Sequence, residues 1–62
     1  MAEAKKRILI VEDEPSVRKM TTMRLEHEGY EVLTAEDGEA ALERAARGRI
    51  HLILLDLNMP KL

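Results

Sequence analysis

The sequence predicts an α/β domain of βαβαβ order with parallel strands. Residues 7–11 and 50–57 form aliphatic blocks with no apolar–polar alternation, the pattern of strands buried on both faces of a parallel sheet. Two helical segments lie between them, each closed by a glycine, Gly29 and Gly48. A second strand, over residues 30–35, separates the two helices. Strand and helix alternating through short links give parallel strands joined by right-handed crossovers.

Each element has a local reason. Residues 1–6 read as a solvated leader, and residues 7–62 as the domain. The first strand, residues 7–11, stops at Glu12-Asp13-Glu14-Pro15. Pro15 suits the first turn of a helix, where its missing N–H is no loss, and acidic residues just before it favour the positive helix start. The first helix is expected over residues 15–28. Val17, Met20 and Thr21 share a face that Leu25 extends. Arg24 falls within this stripe, and its stem is expected along the core edge with the charge in water. Met20 and Met23 are expected as core filler. Gly29 then ends the helix by taking positive φ. Val32 and Leu33 centre the second strand. Asp37 is the expected N-cap of a second helix over residues 39–47, with Leu42, Ala45 and Ala46 facing the sheet. The third strand, residues 50–57, is apolar except for His51 and Asp56.

Composition excludes several function classes. The 62 residues carry 10 Lys+Arg, 12 Asp+Glu and no Cys, for a net charge of −2. No disulfide framework or thiolate zinc site is available. Apolar runs are far shorter than the ~20 residues a membrane helix needs. No secretory signal pattern is present, so a cytoplasmic setting is the default. The charge balance and the short run Lys5-Lys6-Arg7 argue against nucleic-acid binding. His27 reads as a helix-end residue and His51 as a strand-start residue, with no metal-ligand spacing between them.

The acidic residues carry the chemistry. Glu12 and Asp13 follow the first strand, and Asp56 lies near the end of the third. Ligands of open parallel sheets bind beyond the carboxyl ends of the strands, where the strand order reverses. In a 2-1-3 order these three carboxylates converge. Their mutual repulsion calls for a cation, and hard oxygen ligands favour Mg²⁺. An Asp beside such an ion can act as a nucleophile toward an activated phosphoryl group. The plainer readings stand beside this one. An acidic pair before a helix most often serves the helix start, Asn58 alone is a turn residue, and Pro60 alone stiffens a loop. Asp56 is more informative, because an Asp in an aliphatic strand is rare unless paired.

Taken together, RILIVEDEP, EHEGYEVLTAEDGEAAL and HLILLDLNMP resemble the receiver domain of bacterial two-component response regulators, the CheY-like, flavodoxin-like fold. The resemblance runs from about Arg7 to Pro60. It implies a parallel sheet in order 2-1-3. It implies Asp56 as phosphoacceptor from a phosphohistidine of a sensor histidine kinase. It implies Mg²⁺ held by Asp13 directly, by Glu12 often through water, by Asp56, and by the backbone carbonyl of Asn58, with Pro60 shaping the following loop. No enzyme activity of its own is implied. The haloacid-dehalogenase phosphatases also use an Asp and Mg²⁺, but they want D-x-D where this chain has Asp56-Leu57-Asn58. A dinucleotide site is disfavoured because the first turn is acidic and lacks glycine.

The resemblance also implies two more strands, a Ser/Thr after the fourth and a Lys after the fifth, which the 62 residues do not contain. The chain therefore reads as the N-terminal half of a receiver, with impaired phosphorylation. The expected compensation is self-association, a homodimer formed through the exposed third-strand edge or by element exchange. The alternative is a self-assembling structural half-domain without retained phosphorylation.

Overall fold

β1 (Arg7–Val11) is the central strand, as a run of four aliphatic residues demands. The computed structural model describes residues 5–55. Ile8, Leu9, Ile10 and Val11 are at most 3% exposed, so both faces of β1 are covered. β1 pairs in parallel with β2 (Glu31–Ala35) on one side, with Leu9 opposite Leu33 and Val11 opposite Ala35. On the other side it pairs in parallel with β3 (Leu52–Leu55), with Leu9 opposite Ile53 and Val11 opposite Leu55. The sheet order is β2-β1-β3, as expected.

Topology sends the helices to opposite faces. The crossover through α1 (Pro15–His27) runs from β1 to β2, and the one through α2 (Gly38–Arg47) runs back past β1 to β3. Right-handed crossovers that travel in opposite directions along a sheet cover opposite faces. On one face Leu9, Val11 and Ala35 form the core, packed against Leu33, Ala40, Ala41, Ala45 and Ile50. Ile8 and Ile10 point the other way by strand alternation, toward α1. Among the described residues, neither helix reaches β3, which touches β1 alone.

The caps are local and legible. Asp37 caps α2, its Oδ1 accepting the Ala40 N–H at 2.8 Å. Glu14 caps α1 by accepting the Ser16 N–H at 3.3 Å, with Pro15 in the first turn. Gly29 has φ +99°, the left-handed conformation expected where α1 ends. Gly48 follows α2 in extended conformation, and a Cβ there would meet the end of the Arg7 side chain at 2.8 Å.

Several expectations are corrected. Leu42 is 76% exposed. The small residues Ala41 and Ala45, one turn apart, meet the sheet instead. Close approach of α2 through alanines turns Leu42 and Ala46 outward. In α1, Val17, Met20 and Met23 are also exposed, and the methionines are not core filler. The half-buried stripe is Arg18, Thr21, Thr22 and Leu25, at helical spacing. Arg24 is exposed, and Arg18 takes the core-edge position expected of it. The structure begins β3 at Leu52, because Ile50 packs on the core ahead of the ladder. Residues 56 and 57 of the expected strand lie outside the described residues.

This packing separates two leucines by burial. Leu9→Ala is expected to cost about 3 kcal/mol in urea unfolding, as a cavity in a full core. Leu42→Ala is expected to stay within about 0.5 kcal/mol of the parent. Equal costs would contradict the assignment of the α2 face.

Candidate functional site

The carboxyl end of β1 turns into α1 within three acidic residues, and each has a different task. Glu12 is 9% exposed and continues the pairing past β1, its N–H donating to the Ala35 carbonyl at 3.0 Å. Its Oε2 accepts the Glu14 N–H at 3.2 Å, so the carboxylate folds back over the turn. Glu14 is engaged in capping, accepting also from the Ser16 hydroxyl at 3.1 Å. Asp13 is exposed, and among the described residues its carboxylate takes no hydrogen bond. Of the acidic residues here, Glu14 therefore serves the helix start, while the Asp13 carboxylate stays exposed and without a hydrogen bond among the described residues.

A cation already stands beside the turn. Arg18 reaches back from α1, its Nη1 donating to the Glu12 carbonyl at 2.8 Å. The Arg18 N–H also donates to the Glu14 carbonyl at 2.9 Å. The turn is thus held at both ends by one residue, and the guanidinium offsets part of its negative charge. The sequence reading passed over Arg18. Residue types gave no signal for it, because the guanidinium bonds to a main-chain carbonyl.

The switch in strand direction lies between β1 and β3. An open depression there is lined by Ile10, Val11, Glu12, Thr21, Leu54 and Leu55. This is the crevice in which open parallel sheets bind ligands. Of the expected site residues, Glu12 lines it and Asp13 is the next residue along the chain, whereas Asp56 and Asn58 lie outside the described residues. Among the described residues alone, no group of three Asp, Glu, His or Cys side chains is placed to hold a metal. His51 is used locally, its Nδ1 accepting the Arg7 N–H at 2.9 Å where β1 and β3 begin. His27 ends α1.

The family model for the response regulator receiver domain matches residues 8–62. The chain belongs to the response regulator receiver family. This receiver is 47% identical over 57 residues to the alkaline phosphatase synthesis transcriptional regulatory protein PhoP of Bacillus subtilis, covering 92% of this chain and 24% of that protein. It is 44% identical over 55 residues to the CAI-1 autoinducer sensor kinase/phosphatase CqsS of Vibrio cholerae, covering 89% of this chain and 8% of that protein. Among solved structures it superposes on the chemotaxis protein CheY4 of Vibrio cholerae with a TM-score of 0.88 and 44% identity, covering 92% of this chain and 48% of that one. It superposes on the response regulator TrrA of Thermotoga maritima, solved in complex with Mg(2+)-BeF, with a TM-score of 0.82 and 49% identity, over 89% of this chain and 48% of that one. The chain spans about a quarter of the length of the transcriptional regulators it matches. Among the described residues of this receiver, no helix is long and apolar enough to cross a membrane.

The clamp on the acidic turn is testable without any ligand. Arg18→Met is expected to lower stability by about 1 kcal/mol and to speed hydrogen exchange at the Glu14 amide. Arg24→Met, on the exposed side of α1, is expected to change neither. Matching behaviour of the two variants would contradict the clamp.

Proposed function

We propose that this receiver is a phosphoacceptor of two-component signalling in the cytoplasm, with Asp56 taking a phosphoryl group from a phosphohistidine of a sensor histidine kinase. The observation that supports it is the parallel register, in which Val11 stands opposite Leu55. The next residue in each segment is a carboxylate, Glu12 after Val11 and Asp56 after Leu55. Continued one residue further, at ~3.8 Å between consecutive Cα atoms, this register would set the two carboxylates side by side.

The donor set fits a hard dication. Among the described residues Asp13 offers an uncommitted carboxylate, and Glu12 is held with one oxygen engaged by the Glu14 N–H. Carboxylates and the Asn58 carbonyl are oxygen ligands, and neither thiolate nor imidazole is among them. Asp13 and Asp56 would ligate directly and Glu12 through water. When bound, Mg²⁺ would offset charge on the phosphoryl oxygens and help to orient the group. A carboxylate oxygen of Asp56 forms the new bond to phosphorus. The bond from phosphorus to the imidazole nitrogen breaks, and its electron pair returns to the ring. Pro60 shapes the loop that follows. A preparation of these 62 residues alone supplies neither the hydroxyl nor the lysine that the receiver resemblance calls for in later strands. Transfer to it is therefore slow.

Intact-mass measurement after incubation with acetyl phosphate and Mg²⁺ tests the acceptor. The expected result is slow, substoichiometric gain of one phosphoryl group, abolished by Asp56→Asn and by chelation of Mg²⁺. An equal gain in Asp56→Asn would overturn the assignment. Fast stoichiometric gain lost in that variant would keep the acceptor and overturn the impairment.

A further inference from the structure

We propose that Arg18 is a positioning residue for the cation site: by holding the main chain of Glu12, it sets the Asp13 carboxylate in place for a divalent ion. This role rests on the cation-site reading above, and Arg18 acts in it through the main chain alone. Asp13 is exposed, and among the described residues its carboxylate takes no hydrogen bond, yet the chain on both sides of it is tied. A peptide unit is planar, so the Glu12 carbonyl and the Asp13 N–H turn together. Arg18 Nη1 donates to that carbonyl at 2.8 Å and fixes the plane before Asp13. The plane after Asp13 carries the Glu14 N–H, which donates to Glu12 Oε2 at 3.2 Å. Glu12 is anchored in turn, because its N–H donates to the Ala35 carbonyl at 3.0 Å and extends the pairing of β1 with β2. With both flanking planes held, the backbone of Asp13 is set while its side chain stays uncommitted. Every group in this network lies between Glu12 and Ala35 in sequence.

Arg18 is placed for this task. It is half-buried at the start of α1, and its own N–H donates to the Glu14 carbonyl at 2.9 Å, which fixes the base of the side chain. Among the described residues its guanidinium forms no ion pair with a carboxylate. A charged donor on a main-chain carbonyl makes a stronger bond than a neutral one. Residues that orient metal ligands from behind change affinity by roughly 10–100-fold.

Charge and positioning act in opposite directions here. A guanidinium beside the turn repels a dication, so if Arg18 acted through charge alone, its removal would tighten binding. Under a positioning role, its removal frees the Asp13 backbone, and the ion must then order a loose turn. Binding weakens. Arg44 is the internal comparison, since its Nε–H donates to the Thr34 carbonyl at 3.1 Å, a main-chain bond of the same kind on β2 rather than on the acidic turn.

Mn²⁺ titration, read as loss of the free-ion electron paramagnetic signal, tests the proposal, with circular dichroism confirming that each variant is folded. Arg18→Met is expected to weaken Mn²⁺ binding by about tenfold. Arg18→Lys, which keeps the charge and a donor, is expected to recover most of that loss. Arg44→Met is expected to leave the affinity unchanged. Asp13→Asn, which removes a ligand, is expected to abolish binding at the same concentrations. Unchanged or tighter binding in Arg18→Met, beside loss in Asp13→Asn, would overturn the positioning role and leave the cation site standing. So would equal weakening in Arg18→Met and Arg44→Met, the mark of a general loss of stability. Binding indifferent to Asp13→Asn would overturn the site, and this role with it.

Discussion

Parallel hydrogen bonding along both sides of β1 is the constraint from which the other features follow. Because β1 is paired on two edges and covered on two faces, it can be aliphatic from Ile8 to Val11. Because its neighbours are the second and third strands, the two crossovers run in opposite directions and their helices take opposite faces. The crevice between β1 and β3 is the by-product of that reversal. In sequence, Glu12 follows β1 and Asp56 follows β3, the two strands that border the crevice.

Charge is distributed along the strand direction. The amino end is basic, and there the Arg7–Glu31 ion pair at 3.3 Å is exposed enough that solvent leaves it little strength. The carboxyl end is acidic, and its repulsion is relieved partly by Arg18 on the Glu12 carbonyl. Backbone donors do the rest, since Glu12 and Glu14 both accept from main-chain N–H groups. Asp13 keeps its carboxylate uncommitted among the described residues, which suits a cation site.

Much of the fold was legible because short-range rules decide it. β1 runs over the residues its aliphatic block marks, Asp37 caps α2, and Gly29 takes positive φ. The helix faces were less legible. α1 has weak amphipathic character, with polar Arg18, Thr21 and Thr22 half-buried and Met20 and Met23 outside. Apolar spacing therefore pointed to the wrong stripe. In α2 the pattern allowed either of two neighbouring rows, and close packing chose the alanines over Leu42. At the candidate site, Glu12 and Asp13 follow β1 directly, where the sequence places them. Their division of labour with Glu14, and the clamp from Arg18, depend on how a three-residue turn folds back. Residue types alone do not encode that.

The central claim is that parallel register joins the acidic turn after β1 and the residue after β3 into one cation site. Mn²⁺, a hard dication that accepts the same oxygen ligands as Mg²⁺, reads this directly through paramagnetic broadening of amide resonances. The account predicts saturable broadening of Glu12, Asp13 and Asp56 with a single affinity, sparing Tyr30 and Arg49 at the opposite end of the sheet. Broadening confined to Glu12 and Asp13, with Asp56 unaffected at saturation, would contradict it.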